Sequence, residues 1–193
     1  MFVQIIMLSL VSLFYIIYYA KAILLKKQGI SVNLLGRGDK PKKSIVVEII
    51  LRFVTLCGAG IQFISVGFPT LIWSFTVPLP VMIIGTGLTT IGVIFFAISI
   101  ITMRNNWRAG FDNNQNTSLV TNSIYKISRN PAFVGFDLLY IGCTFAYPNI
   151  IMIVITVIAL IAFHIQILGE EKFCADKFGQ EYVDYKNKVR RYL

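Results

Sequence analysis

Ionisable side chains are scarce in this chain, and the few that stand in or beside apolar runs are the ones whose chemistry needs explaining. Arg129 precedes an Asn130-Pro131 pair at the head of one such run, and Glu170 and Glu171 are adjacent acids at the foot of another. His164, the only histidine, stands two turns before Glu171 and so roughly on the same helical face. Asp137 follows Pro131 by about a turn and a half. An arginine can grip a carboxylate, a glutamate can take an ammonium or a hydroxyl, and a histidine can serve as a base. Ionisable residues inside membrane helices are functional candidates by default.

Each position also has a purely structural reading. Asn is a favoured helix cap and Pro a favoured first helical residue, and an arginine just outside the hydrocarbon is ordinary. Glu170 and Glu171 can be solvated carboxylates pairing Lys172 or Lys177. His164 and Asp137 can be hydrogen-bonded polar groups inside a bundle. Glu48 and Arg52 are spaced i, i+4 in the order that favours pairing, and they read as a structural ion pair.

The elements that must position these residues are membrane helices. Of 193 residues, 56% are hydrophobic and only 14% charged, whereas soluble domains run nearer half apolar and a quarter charged. The excess falls in five spans, about 2–25, 45–68, 79–103, 132–147 and 149–168. A run of about 20 apolar residues crosses the hydrocarbon core, so four spans qualify outright and 132–147 is short. "YPN" at 147–149 is a turn signal that makes the last two spans a helical hairpin. The apolar start lacks a basic segment and a small-residue cleavage site, and it reads as a first membrane helix. The expectation is an all-α integral membrane bundle of about five transmembrane helices forming one domain over 1–193. Gly85, Gly87 and Gly92 permit close helix contact, which leaves the oligomeric state open.

Charge location gives an orientation. Of the 18 Lys and Arg, seven fall from Lys21, near the end of span one, to Lys43 before span two, four between spans three and four, six after span five, and the remaining one is Arg52 within span two. The connections "GFPTLIWSFTVPLP" and "AYPN" carry none. By the positive-inside rule the N-terminus is outside and the C-terminus cytoplasmic, as in a multi-pass protein of the cell membrane. Segments 104–131 and 169–193 then share the cytoplasmic side. The net charge of +9 does not mark a nucleic-acid binder, because the basic residues lie between apolar blocks. "GRGDKPKK" at 36–43 reads as a basic loop facing lipid headgroups. Three scattered cysteines, Cys57, Cys143 and Cys174, suggest neither a disulfide framework nor a metal site.

Past Glu171, Phe178, Tyr182, Tyr185, Val189 and Tyr192 recur at spacings of four, three, four and three, one face of a helix whose other face carries Lys186, Lys188 and Arg190. A C-terminal amphipathic helix on the membrane surface accounts for this simply. "NNW" at 105–107, "SLVTNSIYKISRNPAFVG" at 118–135 and "EEKFCADKFGQEYVDYKNKVRR" at 170–191, taken together, resemble the isoprenylcysteine carboxyl methyltransferase family, related to the membrane phospholipid methyltransferases. The family pattern is L-V-x-x-G-x-Y, then R-H-P-x-Y-x-G, then E-E followed by F-G-x-x-Y-x-x-Y and a basic end. The chain departs from it at Ser123 for Gly, Asn130 for His and Phe133 for Tyr, and Gln166 stands where the family has a basic residue near the substrate.

The resemblance implies S-adenosyl-L-methionine as cofactor and an acceptor that is a small lipophilic or prenyl-like molecule entering from the bilayer. It implies that Arg129 holds the cofactor carboxylate and that Glu171 takes its ammonium or ribose hydroxyls. Leu119, Val120 and Tyr125 would wall the adenosine, with Thr117, Ser118, Asn130, Pro131, Ala132, Phe133 and Glu170 contributing contacts to the cofactor. Gln166 would face the substrate, and His164 is a conceivable base. Carboxyl O-methylation is the expected reaction; headgroup N-methylation and a non-enzymatic membrane protein are the rivals.

Overall fold

The computed structural model describes residues 1–193 and contains only helices and their connections. They are α1 (Phe2–Lys27), α2 (Lys42–Gly67), α3 (Leu79–Met103), α4 (Pro131–Ala146), α5 (Ile150–Phe178) and α6 (Gln180–Lys188), with short 3₁₀ turns at Arg104–Asn106 and Ser123–Lys126. α1, α2, α3 and α5 are long and apolar enough to cross a membrane, and α4 is a shorter apolar helix. Large aliphatic and aromatic side chains, among them Ile16, Phe53, Leu56, Ile84 and Val157, face outward all around them. In water such a surface would be unstable; in hydrocarbon it is neutral. The chain is a multi-pass integral membrane protein.

Local chemistry sets the helix limits. Asn149 caps α5, its Oδ1 accepting from Met152 N at 2.8 Å, and Pro131 occupies the first turn of α4. Gly179, at φ +55°, ends α5, a left-handed position that glycine adopts readily.

Two kinds of contact fix the packing. Where α3 crosses α4, the backbones meet at glycines. A Cβ on Gly92 would stand 2.8 Å from Gly135 O, and one on Gly85 would stand 2.6 Å from Gly142 O. Small residues that let backbones approach are the usual means of helix association in lipid. Gly85 and Gly92 are therefore used inside the bundle, while Gly87 faces open space. Elsewhere polar side chains join helices. Tyr15 Oη donates to Gln62 Oε1 between α1 and α2 at 2.8 Å, and the Thr144 and Thr156 hydroxyls bond at 2.8 Å between α4 and α5. Gln166 Nε2 donates to Glu48 at 3.2 Å, and Asn149 Nδ2 to Ser65 at 3.0 Å. The last two pairings run in opposite directions along the two sequences, so α2 and α5 are antiparallel.

Three details differ from the sequence reading. α5 continues ten residues beyond 168, through Glu170 and Glu171 to Phe178, because nothing before Gly179 interrupts it. The aromatic stripe is not one helix face: α6 ends at Lys188, and Val189 is extended. Its Tyr182 and Tyr185 are buried within the protein, so they pack on the bundle rather than on a lipid surface. Finally, Glu48 pairs with Lys40 at 2.6 Å and not with Arg52. Lys40 reaches it because loop 28–41 folds back over α2, where Gly36 N also donates to Glu48 at 2.7 Å.

Candidate functional site

The 104–131 segment, the foot of α5 and the C-terminal tail converge on one cluster. Arg129 N donates to Arg190 O at 2.9 Å, which lays the tail alongside residues 128–130. Arg129 then donates twice to Glu171 Oε1, from Nε at 3.1 Å and Nη2 at 2.9 Å. Its Nη1 donates to the carbonyls of Lys186 (3.1 Å) and Val189 (2.5 Å), which satisfies oxygens that the end of α6 leaves without helical partners. Asn130 occupies the cap position of α4 without capping it. Its Nδ2 instead donates to Glu171 Oε1 at 3.1 Å and to Arg191 O at 3.2 Å. Arg191 completes the cluster, donating to Glu171 Oε2 from Nε at 3.1 Å and Nη2 at 2.9 Å. Glu171 thus accepts five hydrogen bonds, three of them on Oε1, and both its oxygens are saturated.

Glu170 is different. It accepts from Gln166 Nε2 at 3.0 Å on Oε1, and its Oε2 accepts from no protein group. Gln166 in turn reaches Glu48, so a buried polar wall runs Lys40–Glu48–Gln166–Glu170 from the loop to α5. The Lys40 ammonium also lies 4.9 Å from the centre of the Phe111 ring.

A cavity of about 460 Å³ opens beside both features. Its polar end is lined by Thr117, Ser118, Leu119, Val120, Tyr125, Arg129, Asn130, Glu170 and Glu171. Its apolar end runs among the helices, past Phe133, Phe136, Phe163, Phe96 and Tyr18. Ala132 and Gln166 sit along its wall. Asn106 folds the polar end: its Oδ1 accepts from Ser118 N at 3.1 Å and Thr117 Oγ1 at 3.2 Å, and its Nδ2 donates to Ser118 Oγ at 3.0 Å. Tyr182 and Tyr185 of α6 cover the same end, and Tyr185 Oη donates to Tyr125 O at 2.6 Å. Tyr125 Oη meets Ser99 Oγ at 2.7 Å. Burial pushes the Tyr125, Tyr182 and Tyr185 phenols above the usual tyrosine range, so they are neutral near pH 7.

Of the residues singled out from the sequence as possible site residues, the structure brings all but three to this cavity. Asp137, on α4, does not line it, and its Oδ1 is buried without a hydrogen-bond partner. Pro131 is buried at the start of α4 and does not line the cavity. His164 is exposed outside it, its Nδ1 2.6 Å from Tyr192 Oη. Five contributors carried no assigned role in the sequence reading: Asn106, Arg191, Tyr182 and Tyr185 at the polar end, and Lys40 in the wall. Asn106 lay within the quoted "NNW", and the tyrosines within the stripe. Arg191 and Lys40 had no local signal, since Arg191 meets Glu171 across the turn that ends α5 and Lys40 meets Glu48 through a loop rather than at a helical spacing.

A family model described as phospholipid methyltransferase matches residues 80–181. Over 72 residues, 37% of this chain, the sequence is 38% identical to Protein-S-isoprenylcysteine O-methyltransferase of Saccharomyces cerevisiae. That stretch spans 30% of the yeast protein's length. The matched family segment contains α3, α4 and α5 with the loop between α3 and α4, which are the elements that build the polar end of the cavity.

Proposed function

Since this chain belongs to the phospholipid methyltransferase family, we propose that it transfers a methyl group from S-adenosyl-L-methionine to a lipid-like acceptor, with carboxyl O-methylation as the reaction. The observation that carries this reading is the two-ended cavity. One end is polar and faces the loop and tail; the other is aromatic and runs between apolar helices. A water-soluble donor and a bilayer-soluble acceptor need such a junction.

The residues at the polar end fit the cofactor's groups. Arg129 keeps one Nη2 hydrogen that no protein group accepts, suited to a carboxylate. Glu170 Oε2 is an available acceptor for an ammonium, whereas Glu171 is saturated. In this reading Glu171 aligns Arg129 and Asn130 rather than touching the ammonium itself. The Thr117 and Ser118 hydroxyls suit a ribose, and Leu119, Val120 and Tyr125 suit a flat base. When bound, the cofactor would supply an activated methyl whose C–S bond breaks toward sulfur as an acceptor lone pair forms the new bond. A carboxylate acceptor releases no proton, so the chain needs no base. What the chain's own residues do is position and exclude water. Phe133, Phe136 and Phe163 keep the apolar end dry, and Tyr182 and Tyr185 cover the polar end.

The positive-inside distribution supports a cytoplasmic polar end. The test is calorimetric titration of S-adenosyl-L-methionine into the full chain in nanodiscs, beside Glu170→Gln and Arg129→Ala. Saturable binding that both variants weaken is the expected result. Binding unchanged in both, with the proteins folded, removes this site assignment. Radiolabelled methyl transfer to a lipid extract then identifies the reaction. Carboxyl methyl esters release methanol in base and N-methyl groups do not, so a base-stable product would replace the O-methyl reading with headgroup N-methylation.

A further inference from the structure

Arg52 is an unpaired cation within the second apolar span, exposed at the protein surface and also lining the cavity. It stands ten residues into α2, about 15 Å along the helix from its start. The antiparallel register set by Glu48–Gln166 and Ser65–Asn149 places it level with Ala162, next to Phe163. That is one turn deeper than the polar wall. Glu48 is the only acid on α2, and it is occupied by Lys40, Gly36 N and Gln166. Arg52 makes no salt bridge, and its guanidinium donates no hydrogen bond within the protein. Yet it lines the cavity, beside Tyr15, Tyr18, Tyr19, Leu51 and Thr55 at the α1–α2 side.

A charged side chain at this depth is costly unless it faces a cavity and finds a partner. Here the cavity is present and the protein supplies no partner. A guanidinium with all five donors available suits a carboxylate or a phosphate, which it binds through paired bonds. Apart from the tyrosine hydroxyls and Thr55, whose hydroxyl bonds the helix backbone, the surrounding side chains are aromatic and aliphatic, so the rest of the ligand is largely apolar. The other charged groups that reach the cavity, Arg108, Arg129, Glu170 and Glu171, come from the 104–131 segment and the foot of α5.

We propose that Arg52 is a specificity residue that anchors an anionic group of the lipid-like acceptor at the α1–α2 side of the cavity. The identification of the occupant as a methyl acceptor rests on the proposed function; the preference for an anionic, chain-bearing ligand rests on Arg52 alone. Neutral or cationic amphiphiles of the same length leave the guanidinium unpaired and are disfavoured.

Trp107 gives a direct readout, because it is buried and lines the cavity, whereas Trp73, the second tryptophan, is largely exposed outside it. In a Trp73→Phe background, the full chain in nanodiscs is titrated with brominated sixteen-carbon chains, since bromine quenches tryptophan. The chains end in a carboxylate, a phosphate monoester, a hydroxyl or an ammonium. The carboxylate or phosphate chain should quench at concentrations lower by on the order of tenfold than the alcohol, as a charge-assisted bond implies. Arg52→Gln should erase that difference, and Arg52→Lys should retain part of it. The better of the two anionic chains identifies the headgroup chemistry. Equal quenching by anionic and neutral chains, or a preference that survives in Arg52→Gln, overturns the proposal. S-adenosyl-L-methionine titrated into the same samples should bind equally to all three proteins. If it binds none while the anionic preference holds, the methyltransferase reading fails and the Arg52 site stands.

Discussion

Glu48 and Glu171 are both carboxylates clasped by segments far apart in the chain, but they are clasped for different ends. Glu48 and its partner Lys40 have side chains that are 0% exposed, and Glu48's other donors are Gly36 N and Gln166. The arrangement pins the loop between α1 and α2 to the bundle, and nothing in it is left over. Glu171 sits between Arg129, 7% exposed, and Arg191, 32% exposed, at the rim of the cavity. It ties the tail to the 104–131 segment, and one of its arginines keeps a donor facing the cavity. A sealed pair holds the fold together; an open cluster holds a site together. The first should show mainly in stability and the second mainly in binding.

The contrast is broken most severely by Lys40→Met. It leaves Glu48 buried without its counter-charge and should destabilise the protein by about 3–5 kcal/mol, measured by unfolding in mixed micelles. The double variant Lys40→Met with Glu48→Gln should recover much of that loss. A single variant as stable as the parent would show that Glu48 is not dependent on Lys40. Arg129→Ala should act the other way round. If the proposed function holds, its main effect should be on S-adenosyl-L-methionine affinity, by roughly tenfold or more, the worth of a hydrogen bond to a charged group. The residues after 186 should also become more accessible to proteases, since Arg129 holds the Lys186 and Val189 carbonyls. Arg129→Lys should not restore the affinity, because an ammonium cannot reproduce the fork.

Smaller effects sharpen the boundary between the two. Tyr185→Phe removes one bond to Tyr125 O and should cost about 1 kcal/mol. Burial raises the folded-state phenol pKa at Tyr125, Tyr182 and Tyr185, so their contribution is complete below the unfolded value and declines as pH rises past about 10. Stability in Tyr185→Phe and the parent should therefore differ by a constant amount from pH 6 to 9. The least effect belongs to Arg191→Gln. Its partly exposed pair with Glu171 should be worth under about 1 kcal/mol, visible chiefly as a faster proteolysis of the tail.

Much of this was legible from local patterns. The apolar runs place α1 to α5 within a few residues at nearly every end, because a span must cover a fixed thickness of hydrocarbon. "YPN" gave the turn between α4 and α5, and the "NNW", "SRNP" and "EE" segments named most of the cavity's polar lining. The misreadings share one cause. Glu48 and Arg52 fit an i, i+4 pair, yet Lys40 reaches Glu48 first because a loop folds back over the helix. Asn130 fits a helix cap, yet its amide is drawn to Glu171. The tail stripe fits a single helix, yet the chain turns at Gly179 and again after Lys188.

The sequence by itself determined which segments form the apolar helices and that these are long and apolar enough to span a membrane, since those depend on near-neighbour geometry and on solvation of each stretch, but not where α5 and the tail helix stop. Only the tertiary structure decided which charges neutralise one another. A carboxylate is satisfied by whichever donors the folded chain delivers within about 3 Å, and neither Arg191 at Glu171 nor the absence of any partner at Arg52 can be inferred from spacing along the chain.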